Sequence, residues 1–163
     1  MADFFRAKWS AAVQEEWVEA LLRGREDLER ASLQRVVELM NLAVPDALVT
    51  DYEDLEDALE LPDPNDRHVL AAAIKARADL IVTANRRDFP PRTLARWSIE
   101  AQDPDTFLAN QFHLDPPRFL EVVKTVRARL QRPPKSAPDY LETLRRQGLL
   151  ATVAELEPYD ALI

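Results

Sequence analysis

Residues 61–90 read LPDPNDRHVLAAAIKARADLIVTANRRDFP, and this stretch decides the fold. The alanine-rich segment 64–76 predicts a helix, and the apolar run at 80–83 predicts a short buried strand. A helix that leads into a buried strand is half of an α/β unit. The sequence therefore predicts an α/β fold.

Polar side chains flank this helix and strand. Asp63 and Asp66 lie at the start of the helix, and Asn85 and Asp88 follow the strand. Functional sites in α/β folds gather at the carboxyl ends of the strands, and helix starts lie at the same edge. We therefore expect the four oxygen-bearing side chains to converge.

The same acids also have structural interpretations. Asp63 precedes a proline and fits a helix N-cap, and Asp66 falls where the helix dipole favours negative charge. We interpret Asp63 mainly as a cap and Asp66 mainly as functional, because Asn85 and Asp88 follow in the same unit. We interpret His68 as a hydrogen-bonded surface histidine rather than a catalyst, and the sequence has no Ser–His or Cys–His nucleophile pattern.

The composition excludes several classes of protein. Cysteine is absent, which excludes disulfides and thiolate metal sites and favours a reducing cytoplasm. No apolar run approaches the length of a membrane span, and the first residues do not form a signal peptide, so we expect a cytoplasmic protein. With 2 glycines, the chain has no glycine-rich phosphate loop.

The formal net charge of −8 is unevenly distributed along the chain. Residues 1–60 carry a net charge of −9, residues 61–102 one of +2, and residues 103–163 one of −1. Uniform acidity would discourage nucleic-acid binding, whereas this distribution leaves room for a local basic surface.

A helix is also predicted near the N-terminus, from the cap Ser10 to Gly24. Glu16 lies on or beside its apolar stripe, where an unpaired carboxylate would be unfavourable. Two interpretations stay open: an edge glutamate that pairs with an arginine, or a metal ligand. The stripe consists of Val13, Trp17, Ala20 and Leu21.

From residue 103 onward the pattern changes. A capping residue stands before a proline at 103–104, 115–116 and 136–138, and each of these pairs predicts a helix start. We therefore divide the chain into an α/β part, 1–102, and a C-terminal helical appendage, 103–163.

The predicted helix 116–131 is amphipathic and basic, and segment 116–135 carries a net charge of +5. Its cations are either a solvated face favoured by the helix dipole or a surface for RNA phosphates. The predicted apolar stripe is Phe119, Val122, Val123, Val126 and Leu130, and the basic residues are Arg118, Lys124, Arg127, Arg129, Arg132 and Lys135.

Three stretches resemble the PIN-domain family, the nuclease fold of VapC-type toxins. Residues 63–90, DPNDRHVLAAAIKARADLIVTANRRDFP, resemble the core of the family, and residues 6–17, RAKWSAAVQEEW, resemble the helix with its second acid. The segment from residue 103 onward resembles the helical extension of one VapC subgroup. The resemblance implies a parallel sheet flanked by helices, an acidic cluster that holds Mg²⁺ or Mn²⁺, and hydrolysis of RNA phosphodiester bonds.

The resemblance also implies roles for single residues. It makes Glu16, Asp66 and Asp88 the catalytic acids, and these three together with Asn85 the metal ligands. Asn85 stands where many relatives have aspartate, which lowers the local negative charge. RNA contacts are expected at Arg86, Arg87, Lys124 and Arg127.

The sequence departs from the family pattern at its start. The family opens with a central strand that carries its first aspartate, whereas here Asp3 is not part of such a strand. We expect this loss to remove one metal ligand, to leave neighbouring strands unpaired and to impair the activity of this chain alone.

Two functional hypotheses follow. The first is a metal-dependent endoribonuclease toxin of a toxin–antitoxin pair, with RNA as substrate and an antitoxin as partner. The second is a non-catalytic PIN-like protein that binds an antitoxin-like partner or self-associates, for example as a homodimer.

Overall fold

The computed structural model describes residues 4–163, so the expectation for Asp3 lies outside the described residues. Among them, no helix has both the length and the apolar character that a membrane crossing requires. The elements in chain order are β1 (Trp9–Ser10), α1 (Ala11–Gly24), α2 (Arg30–Ala43), β2 (Leu48–Val49), α3 (Arg67–Ala76), β3 (Leu80–Val82), α4 (Pro91–Leu94), β4 (Glu100–Gln102), α5 (Pro104–Leu114), α6 (Pro116–Arg129), α7 (Ala137–Arg146) and α8 (Leu150–Leu156).

The strands of the described part of the chain form two two-stranded sheets. β1 pairs in parallel with β2, with Trp9 opposite Leu48 and Ser10 opposite Val49, and β3 pairs with β4. The predicted α/β fold with parallel strands is confirmed, but the predicted single sheet is divided and its strands are short. Asp51 has a φ of 58°, and this left-handed conformation ends the extended backbone soon after β2.

The chain divides into two compact units. Residues 5–81 with 85–101 form one, which we call the α/β unit, and Phe4, 82–84 and 102–163 form the other, which we call the helical unit. Each has its own hydrophobic core. Neither unit is continuous along the chain, so the units do not correspond to a single cut. The domain boundary between residues 102 and 103 stays a prediction.

α3 has more buried residues than any other helix of the α/β unit. Its residues Leu70, Ala71, Ala72 and Ala73 are all buried, and the small alanine side chains let neighbouring segments approach the helix closely. This packing fixes the helix, and with it the acidic turn that precedes it. The side chains around α3 include Tyr52, Leu59, Leu61, Ile81, Phe89, Leu94 and Ile99.

α1 begins as predicted, with the Val13 amide donating to Ser10 Oγ at 3.2 Å. Its inward face differs from the predicted stripe, since Ala20 and Leu21 are exposed. The buried positions are instead those of Gln14 and Val18.

The inner face of α1 contains a glutamine because that glutamine has polar partners. Gln14 Nε2 donates to Asn41 Oδ1 at 2.9 Å, and Trp9 Nε1 donates to the same oxygen at 2.7 Å. A pattern of apolar residues does not detect a buried, hydrogen-bonded polar side chain. This is the reason why the predicted face was rotated.

In the helical unit, the inward face of α6 is also rotated relative to the predicted apolar stripe. Its buried residues are Phe119, Leu120 and Val123, whereas Val122, Val126 and Leu130 of the predicted stripe are exposed. Arg127 lies on the inner side, and its Nη1 donates to the Lys135 carbonyl at 2.7 Å. The remaining core of this unit is formed mainly by Phe112, Tyr140, Leu141, Val153, Leu156 and Ile163.

One carboxylate joins the first and last helices of the helical unit. The Asp105 carboxylate at the start of α5 accepts the amides of Ala151 and Thr152 at 2.7 and 2.8 Å, and these amides belong to the first turn of α8. Burial alone would raise the pKa of Asp105, but hydrogen bonds from Thr152 and Ala151 outweigh it and lower the pKa. The carboxylate therefore stabilises the fold in its ionised form.

Asp105→Ala should lower the free energy of unfolding by about 2 kcal/mol at pH 7, since charge-assisted hydrogen bonds are lost. Because the folded-state pKa is lowered, this stabilisation is present above the ordinary aspartate pKa and is lost as pH falls through the folded-state value. Urea denaturation from pH 7 down to pH 3 should show the difference shrinking. The exposed acid Asp160, changed to Ala, is the matched control. A difference between Asp105→Ala and wild type that does not depend on pH would contradict this account.

Candidate metal centre

Asp63 begins the acidic turn before α3. Its Oδ1 accepts the Asn65 amide at 2.9 Å, and Pro64–Asp66 forms a single 3₁₀ turn. Proline is favoured at this first position, where an amide N–H would have no partner. The predicted cap is confirmed.

Asp66 ends that turn and immediately precedes α3. Its Oδ2 is buried and has no hydrogen-bond partner among residues 4–163. A buried carboxylate oxygen without a partner is unfavourable, because it has lost water and gained nothing in return. A bound cation would satisfy this oxygen.

Asp88 follows α3 and β3 in the chain and ends the 3₁₀ turn Arg86–Asp88. Asn85 Nδ2 donates to Asp88 Oδ2 and orients the carboxylate. The next residue, Phe89, is 3% exposed and anchors the turn in the core. Core packing thus fixes the position of Asp88.

Asp63, Asp66 and Asp88 converge into one acidic cluster. One carboxylate oxygen from each lies within 4.8 Å of the others, and all three residues are partly buried. The expected convergence of Asp63 with Asp66 and Asp88 is confirmed. From the sequence, Asp66 and Asp88 are predicted metal ligands, whereas Asp63 is interpreted mainly as a cap. The spacing of Asp63 and Asp66 indicates that both carboxylates can reach one ion, because residues three apart on a 3₁₀ turn lie on the same side.

The electrostatics of the cluster act on Asp66. Burial raises its pKa most strongly, and the negative charges of Asp63, Asp88 and Glu16 raise it further, while His68 acts in the opposite direction. Because the folded-state pKa is raised, ionised Asp66 destabilises the fold at neutral pH. That destabilisation is relieved as pH falls through the raised value.

Glu16 lies on α1, outside the tight cluster but close enough to act on Asp66. Its Oε1 lies 3.0 Å from His68 Nε2, so its partner is a histidine and not the arginine considered from the sequence. The expectation that His68 is hydrogen-bonded is confirmed, but its side chain is 11% exposed and therefore not a surface group. The contact with Glu16 satisfies Nε2, whereas Nδ1 is buried and has no hydrogen-bond partner within the described residues.

The donor set fits a hard divalent cation. Three carboxylates converge, Asp66 Oδ2 has no other partner in the described chain, and Asn85 is hydrogen-bonded to Asp88. Mg²⁺ and Mn²⁺ prefer oxygen ligands, and an ion here would remove the repulsion between the carboxylates. The roles of Glu16 and Asn85 as ligands stay predictions.

The four residues expected to contact RNA differ in their surroundings. Arg86, Arg87 and Lys124 are exposed. Arg127 is partly buried and holds the Lys135 carbonyl, which gives it a structural task in the loop after α6. RNA binding by all four stays a prediction.

Two family models match the sequence. One described as a PIN domain matches residues 2–87, and one described as the VapC50 C-terminal domain matches residues 104–158. A curated protein of Mycobacterium tuberculosis (strain ATCC 25618 / H37Rv), "Putative ribonuclease VapC50", is 42% identical over 76 residues. That match covers 44% of this chain and 44% of the relative, so the chain spans less than half the relative's length. No solved structure matches the chain significantly.

Asp66→Asn should stabilise the protein in the absence of divalent ions, because it removes one of the repelling charges. We expect a rise in the melting temperature of about 2–4 °C. Added Mn²⁺ should then stabilise wild type much more than the variant, because the variant has lost a ligand. Scanning calorimetry with and without EDTA measures both effects, with Asp57→Asn, an exposed acid in the same unit, as the control. A lower melting temperature for Asp66→Asn in EDTA would show that repulsion does not dominate at this site.

Proposed function

The chain belongs to the PIN-domain family, and from that premise we propose that it is a metal-dependent endoribonuclease that hydrolyses RNA phosphodiester bonds. The observation that supports this most directly is the convergence of Asp63, Asp66 and Asp88, with an oxygen of each within 4.8 Å of the others. The relative that shares 42% identity is named a ribonuclease, which supports the same proposal.

The proposed reaction divides the tasks among named side chains. Asp63, Asp66 and Asp88 would hold Mg²⁺ or Mn²⁺, with Glu16 at the rim of the cluster. Such an ion, when bound, lowers the pKa of a water and stabilises negative charge on phosphoryl oxygens. Asn85 keeps the Asp88 carboxylate in place through its hydrogen bond.

Asp63 bears on the expected impairment of this chain. From the sequence, Asp66, Asp88 and Glu16 are the carboxylates expected to bind the metal, with a further ligand missing. Asp63 supplies a third carboxylate to the tight cluster. We therefore propose that the cluster suffices for catalysis, while the expected impairment stays a prediction about the rate.

The proposed RNA contacts are cationic side chains in both units. Arg86 and Arg87 belong to the 3₁₀ turn that ends with the cluster residue Asp88. Lys124 and Arg129 are exposed on α6, and neither has a carboxylate partner within the described residues. Arg146, which is also exposed, is by contrast paired with Glu142 at 3.1 Å. Unpaired cations favour a polyanion such as RNA.

An antitoxin-like protein is the proposed partner, and RNA as the substrate would place the activity in the cytoplasm. α2 exposes Val36, Leu39 and Leu42 by 44%, 49% and 71%, an apolar surface that a partner would cover. The same surface favours the alternative function, a non-catalytic PIN protein that binds a partner or self-associates as a homodimer. Light scattering after gel filtration separates the dimer from the monomer.

RNA cleavage distinguishes the two functions. Purified protein should cleave single-stranded RNA in the presence of Mg²⁺ or Mn²⁺ and should lose this activity in EDTA. Asp66→Asn and Asp88→Asn should each reduce the rate at least about 100-fold, since transition-state charge loses its stabilisation. Gel analysis of an end-labelled RNA measures the rate.

The control for cleavage is Asp57→Asn, which should cleave like wild type. Equal cleavage by wild type and Asp66→Asn would indicate a contaminating nuclease. A protein that binds Mn²⁺ but does not cleave RNA would favour the non-catalytic alternative.

RNA binding is tested separately, in EDTA to prevent cleavage. Arg86→Ala with Arg87→Ala, and Lys124→Ala with Arg129→Ala, should each weaken binding and reduce its salt dependence. The slope of log K against log salt should fall by about 0.7 per lost phosphate contact, or about 1.4 for a pair. Fluorescence anisotropy at several salt concentrations gives the slope.

Arg127 is left unchanged in that experiment because its loss would disturb the loop that it holds. The matched control is Arg145→Ala with Arg146→Ala, which removes the same charge from arginines engaged by Glu142 and Glu157. If the control lowers the salt slope as much as the tested pairs, binding reflects net charge and not these contacts.

A further inference from the structure

A hydrogen bond beside the acidic cluster joins α1 to α3. His68 Nε2 lies 3.0 Å from Glu16 Oε1, and the two residues are 52 positions apart in the sequence. An ionised carboxylate accepts hydrogen bonds and donates none, so His68 Nε2 carries the hydrogen. The direction of the contact is therefore from the ring to the carboxylate.

The two partners differ strongly in burial. The His68 side chain is 11% exposed and lies in the first turn of α3, two residues before Leu70, which is fully buried. The Glu16 side chain is 58% exposed. A glutamate in solvent samples many rotamers, whereas a ring packed in a core does not. The fixed partner is thus the histidine, and the carboxylate is the group that it restrains.

The hydrogen bond from His68 holds Glu16 against its repulsion by the acidic cluster. The negative charges of Glu16, Asp63 and Asp88 all act on Asp66, so the Glu16 carboxylate is repelled by the cluster. An unrestrained glutamate would turn toward solvent and away from these charges. The hydrogen bond from His68 holds it near them.

We propose that His68 is a positioning residue that keeps the Glu16 carboxylate at the rim of the Asp63–Asp66–Asp88 cluster, where it takes part in binding a divalent cation. This rests on the proposed function, because it requires that the cluster binds such an ion. The ring acts through Glu16 and has no chemical step of its own. Partners that orient metal ligands typically change metal affinity by 10–100-fold.

The test is a double-mutant cycle on Mn²⁺ binding, measured by titration calorimetry in the absence of RNA. His68→Leu, which keeps bulk but lacks the donor, and Glu16→Ala should each weaken binding by about tenfold. The double variant should bind no more weakly than Glu16→Ala alone, because His68 acts only through Glu16. Additive losses would overturn the proposal.

A conservative variant separates positioning from packing. His68→Gln places an amide N–H donor near the position of Nε2 and should restore affinity to within about threefold of wild type, while His68→Leu should not. Unfolding in EDTA establishes that both variants are folded. If His68→Gln and His68→Leu lose affinity equally, the ring matters for packing and the proposal fails.

The chain offers a matched control. His113 Nε2 lies 3.2 Å from Glu155 Oε1 in the helical unit, a second histidine–glutamate contact that does not involve the cluster. His113→Leu should leave Mn²⁺ affinity unchanged. If wild type binds no Mn²⁺, the proposed function fails and the role of His68 with it. If wild type binds, Asp66→Asn abolishes binding and the His68 variants bind like wild type, only the role of His68 is overturned.

Discussion

Repulsion between the carboxylates of Asp63, Asp66 and Asp88 is the unfavourable interaction that the packing of the α/β unit has to overcome. Three carboxylates with oxygens within 4.8 Å of each other do not gather unless the backbone forces them together. Here a tight turn supplies two of them, and a second turn anchored by the buried Phe89 supplies the third. The buried helix α3 holds both turns in place. The core thus stabilises a site that is unfavourable by itself, as functional sites often are.

Local signals in the sequence were sufficient for much of the fold. The caps Ser10 and Asp63 formed as their chemistry predicts, and the alanine-rich α3 followed by β3 confirmed the α/β interpretation. The helix faces were less predictable. In α1 the buried Gln14 lies on the inner side because it donates to Asn41 on α2. In α6 Arg127 lies on the inner side because it donates to the Lys135 carbonyl in the loop that follows the helix. Both partners lie outside the helix concerned, so the apolar periodicity of that helix does not encode them.

The same limit applies to the site. Asp66 and Asp88 could be grouped from the sequence because both flank one helix–strand unit. Asp63 was expected to lie near them, but its adequate explanation as a cap kept it out of the predicted ligand set. The burial of His68 had no local sign in the sequence. The contact between Glu16 and His68 joins residues 52 positions apart, so its existence depended on how α1 and α3 pack.

Asp63 serves two purposes with one carboxylate, and this has a consequence for how the position can vary. Asparagine would keep the capping oxygen but remove the charge, whereas glutamate would keep the charge but extend beyond the reach of the Asn65 amide. Neither of these two similar residues preserves both properties. Substitution of Asp63 by either one should therefore impair either ion binding or the helix cap. The two substitutions also form a pair that separates helix initiation from ion binding within a single residue.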